Sequence, residues 1–74
     1  MATEWVVATR GAFTAHVARV AGYELSIRGG GGSWFWLVSR EGDADTLAEG
    51  TEHDLAAAEK MAEAAARRLA GEGA

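Results

Sequence analysis

The chain contains no cysteine, so neither a disulfide framework nor a cysteine-ligated zinc site can hold it together. It is also short of positive charge: seven Lys and Arg stand against eleven Asp and Glu, for a net charge of −4. That balance disfavours nonspecific nucleic-acid binding, which rests on neutralising phosphates. A long apolar run is missing, and so is a basic segment near the start. The stretch "MATEWVVATR" carries Glu4 and only a short, interrupted apolar run. Neither a signal peptide nor a membrane-spanning helix is expected, and a cytoplasmic location is. Lysine occurs once, at Lys60, while 17 residues are alanine. We read this as the codon bias of a GC-rich bacterial genome.

At 74 residues the chain forms a single domain. A chain of this size buries only roughly 60% of its unfolded surface. Efficient packing, or area supplied by a partner chain, must make up the difference. The charge is unevenly spread. Residues 1–40 carry Arg10, Arg19, Arg28 and Arg40 against Glu4 and Glu24, whereas residues 41–74 carry nine acids against Lys60, Arg67 and Arg68. The first half can therefore present a locally basic face.

Leu55, Ala58, Ala62, Ala65 and Leu69 recur at intervals of three and four, one face of a helix. The spacing predicts a helix over 52–69, with Thr51 as N-cap, Asp54 closing an imperfect capping box, Gly71 as the stop and 70–74 as a frayed tail. Glu52 and Asp54 suit its positive end, and Arg67 and Arg68 its negative end. An alanine stripe needs a flat neighbour that approaches closely, and a β-sheet meets that need.

Tyr23, Leu25 and Ile27 alternate with Glu24 and Ser26, which reads as a strand. The run 13–20 ends at Ala21-Gly22, a two-residue hairpin turn. That turn pairs Val20 with Tyr23, Arg19 with Glu24 and Ala18 with Leu25, so opposite charges meet across the strands. A helix over 12–21 is the rival, since Phe13, Val17 and Val20 also fit helical spacing. The run 33–40 is a strand apolar on both faces, with Trp34, Trp36 and Val38 on one and Phe35 and Leu37 on the other. Residues 45–49 read as a short fourth strand. Residues 1–10 form an edge strand or an extended arm, and the sheet proper spans 13–49. The fold class is α+β: a three- to four-stranded antiparallel meander with one C-terminal helix across one face.

The glycines of "RGGGGSWFW" do not make a phosphate loop. No lysine follows them, and the next element is a strand without a helix N-terminus to hold an anion. They read as a hairpin loop, either natural or an engineered linker. A loop of 29–32 sets Ile27 opposite Trp34 and places both Trp34 and Trp36 under the helix. A loop of 29–33 reverses the parity and buries Phe35 and Leu37 instead. The first is preferred, because the helical alanines leave room for indoles.

Phe35 and Leu37 then join Val17, Arg19 and Arg28 on the face away from the helix. That open face is the interaction surface we expect, covered by a second copy of the chain, another protein or the N-terminal segment. The competing reading is an aromatic–arginine platform for nucleic acid. Catalysis has no constellation to rest on. Ser26, Ser33 and Ser39 lie outside any nucleophile elbow, and Asp43 and Asp45 sit in a solvated turn. His53 decorates the start of the helix, His16 sits on the helix side of the sheet, and no metal or cofactor is expected. The expected protein is a non-enzymatic module.

Gly22-Tyr23-Glu24-Leu25, Trp34–Val38, Leu47–Gly50 and the alanine-rich segment 54–66 together resemble a group of small uncharacterised bacterial proteins. The resemblance covers about two-thirds of the chain and implies a fold, with no activity attached. In outline, the order of three strands and a helix is also similar to integrase arm-binding DNA domains and a class of plant DNA-binding domains. Topology of that kind is a poor guide to function.

Overall fold

The sheet is built around the turn at Ala21-Gly22, where both residues take positive φ, 54° and 86°. Two consecutive left-handed residues make the tight turn whose twist matches that of paired strands. It joins β2 (Phe13–Val20) to β3 (Tyr23–Gly30), with Val20 opposite Tyr23, Arg19 opposite Glu24 and Ala18 opposite Leu25, as the sequence predicts. Within 12–21, residues Phe13–Val20 are thus strand and not helix. The computed structural model describes residues 3–10, 13–30, 32–43 and 45–72. Among them, five strands form one antiparallel sheet in the order β1-β2-β3-β4-β5, with a single C-terminal helix.

β4 (Ser33–Arg40) extends closer to β3 than either expected loop allows. Gly30 pairs with Ser33, so Gly29 and Gly30 belong to the ladder and only positions 31–32 connect the strands. Ile27 therefore lies opposite Trp36, and Leu25 opposite Val38. The parity of the preferred loop holds while its register moves by two residues. Trp34, Trp36 and Val38 face the helix; Phe35 and Leu37 face away. Gly29 explains the extension, because a Cβ there would come within 2.8 Å of the Trp34 Cα. The bare backbone lets β4 pack against it.

β1 (Val6–Arg10) is a true strand and pairs with β2, which resolves the strand-or-arm alternative. β5 (Thr46–Glu52) runs three residues past the predicted 45–49 and pairs with β4 through a bulge at Val38/Ser39. This displaces the helix start. Thr51 and Glu52 lie in the ladder opposite Phe35 and Trp34, so Thr51 is no cap. Asp54 caps instead, accepting the Ala57 N–H on Oδ1 at 2.7 Å. α1 spans Leu55–Glu72 and not 52–69, passing Gly71 without stopping there. Arg67 and Arg68 fall short of its last turn.

The core lies between α1 and the β3–β5 side of the sheet. Leu25, Ile27 and Val38 are fully buried beneath Ala58, Ala62, Ala65 and Ala66, with Trp36 and Tyr23 beside them. The helix packs against β2 to β5 and does not reach β1. The start of the sheet is tied to it at one point: the Trp5 indole Nε1–H donates to Glu63 Oε2 at 2.8 Å. The other oxygen of Glu63 lies 3.7 Å from Arg67.

Candidate interaction face

Antiparallel pairing places the five predicted face residues together on the side away from α1, in three neighbouring cross-strand rows. Arg28 is directly opposite Phe35, with Ala15 on its other flank. Val17 and Leu37 share the next row with Ser26 between them. Arg19 and Glu24 lie in the third. The strand alternation alone produces this assembly.

Sequence reasoning missed the contribution of β1. Val6 extends the Val17–Ser26–Leu37 row, and Ala8 extends the row of Ala15 and Arg28. Val6 is 53% exposed, Phe35 37% and Leu47 43%. The signal was the alternation of Glu4, Val6 and Ala8, hidden because Val7 and Trp5 are apolar as well. The small side chains of Ala8, Ala15 and Ser26 leave an open trough of about 850 Å³ across β1–β3, with Glu4, Arg19, Glu24 and Arg28 also in its lining.

The charges of this face are mixed. Arg19 and Arg28 share it with Glu24 and, opposite Leu37, Glu49. Arg19 is held 3.5 Å from Glu41 by an exposed ion pair, a contact of little energetic weight. Arg28 has no carboxylate within ion-pair distance among the described residues.

On the opposite face, His16 meets the Trp34 ring edge-on at 5.9 Å between centroids. This is the helix-side placement expected for it. His53 is exposed between β5 and α1. Among the described residues, no cluster of three or more His, Cys, Asp or Glu is arranged to hold a metal ion. No described helix is long and apolar enough to cross a membrane. Compared with known proteins, the chain matches no family model, no characterised sequence and no solved structure.

Proposed function

We propose that this protein is a non-enzymatic interaction module of the cytoplasm that binds protein, a second copy of itself or another chain, through the open sheet face. The likeness to small uncharacterised bacterial proteins belongs to the same proposal and adds no activity to it. The observation that carries the reading is the composition of the face. Val6, Val17, Phe35 and Leu37 give it a semi-apolar centre, and Arg19, Arg28, Glu24 and Glu49 surround that centre with both signs of charge. Protein interfaces combine an apolar centre with a polar rim in this way. Phosphate binding would need an excess of bases, so the nucleic-acid alternative is the weaker.

The test follows backbone amide NMR shifts with protein concentration, up to about 1 mM. Expected are concentration-dependent shifts at residues 15–19, 24–28 and 35–37 that Phe35→Asp abolishes. If those amides do not move, self-association through the face is ruled out. A parallel low-salt titration with DNA and RNA that perturbs the same amides would favour the nucleic-acid reading instead.

A further inference from the structure

The two edges of the sheet are built differently. β5 carries a bulge against β4, two glutamates, Glu49 and Glu52, and the helix packed along it. Such devices keep an edge strand from pairing with another chain. β1 has neither the bulge nor the helix, and its one charged residue, Arg10, stands at its end. Its sequence, VVATR, lacks lysine, proline and any bulge against β2. The helix does not reach it, and Val6 and Val7 are 53% and 58% exposed on opposite faces. The chain leading into it is nonetheless held in place by the Trp5–Glu63 hydrogen bond.

We infer that β1 is a homodimerisation edge, pairing antiparallel with β1 of a second copy so that the two sheets join into one ten-stranded sheet. The occupant is argued from the sequence of the strand together with Glu4 and Trp5, the two residues that lead into it. A two-fold axis at Val7 sets Val7 opposite its own copy, Val6 opposite Ala8, Trp5 opposite Thr9, and position 4 opposite position 10. Positions 4 and 10 are Glu and Arg. The pairing therefore matches acid with base twice over, one match on each side of the axis, as Arg19 and Glu24 match across β2 and β3. Because paired positions have the same parity, both helices lie on one side of the joined sheet and both open faces on the other. A closed two-fold contact of this kind is isologous and stops at two copies. The inference goes beyond the docking face and does not depend on it.

The test is sedimentation of the full chain at low salt, up to about 1 mM. Expected is a dimer that persists in Phe35→Asp, the variant in which association through the open face is removed. Val7→Lys, which places two ammonium groups against each other at the axis, should weaken the dimer at least tenfold. Glu4→Arg alone and Arg10→Glu alone should each weaken it by up to about tenfold. The double exchange Glu4→Arg/Arg10→Glu should restore it, which separates lost pairing from lost folding. A chain that stays monomeric throughout overturns the inference. So does a dimer insensitive to Val7→Lys, or one that the double exchange fails to restore. A dimer lost only in Phe35→Asp would assign self-association to the open face and not to this edge.

Discussion

Gly50 lacks a side chain because the Trp36 indole occupies that space. A Cβ at position 50 would fall 2.6 Å from Trp36 Cζ2. The indole lies across the bare backbone of β5, and its Nε1–H points at Glu52 Oε2, 3.4 Å away. An aromatic ring covering a glycine on an edge strand shields backbone that would otherwise be open to water. Trp36 is 6% exposed, so its ring has little freedom to yield. Gly50→Ala should therefore destabilise the fold by about 1–3 kcal/mol, the usual cost of overpacking, as read from a urea midpoint. Ala21 is the opposite case, a residue whose conformation favours another side chain. At φ 54° its Cβ is strained, and turns of this kind prefer asparagine at that place. Ala21→Asn should raise stability by about 0.5–1 kcal/mol, seen as a higher melting temperature.

Elements differ in how plainly the sequence announces them. The β2–β3 hairpin was legible because the alternation on both arms and the Arg19–Glu24 match select one register. The β3–β4 register was not. Glycines 29 and 30 have no side chains to mark where the ladder ends, and their inclusion depends on Trp34 packing against Gly29. β5 was read too short, since Gly50 interrupts it and Thr51 resembles a helix cap. The cap belongs to Asp54, and Asp54→Ala should cost about 1 kcal/mol in denaturant unfolding, whereas Thr51→Ala should leave the helix start unaffected. The candidate face was legible wherever parity alone decides it, at Val17, Arg19, Arg28, Phe35 and Leu37. It was not legible in β1, where apolar residues on both sides erase the alternation. The same strand lies beyond the reach of the helix, so in the dilute monomer its amides should exchange with solvent faster than those of β3 and β4, measured by native-state hydrogen exchange.

For the whole molecule, size sets the margin. A 74-residue domain is expected to have a stability of roughly 4–11 kcal/mol. Leu25 is fully buried at the centre of the core, under the helical alanines. Those alanines bring the helix backbone close to the sheet, which limits how far the site can collapse around a void. Leu25→Ala should cost about 2–5 kcal/mol, a large part of the total, with urea denaturation at 25 °C as the measurement.

The three tryptophans, Trp5, Trp34 and Trp36, all pack against the core on the helix side of the sheet, while Phe35 faces the other side. The protein is thus optically one-sided. Its intrinsic emission reports on how the helix sits on the sheet and is nearly blind to whatever meets the open face. Detachment of the helix should change that emission strongly. Occupation of the open face should pass almost unseen, and a flat fluorescence titration would describe the placement of the indoles and not the absence of a partner.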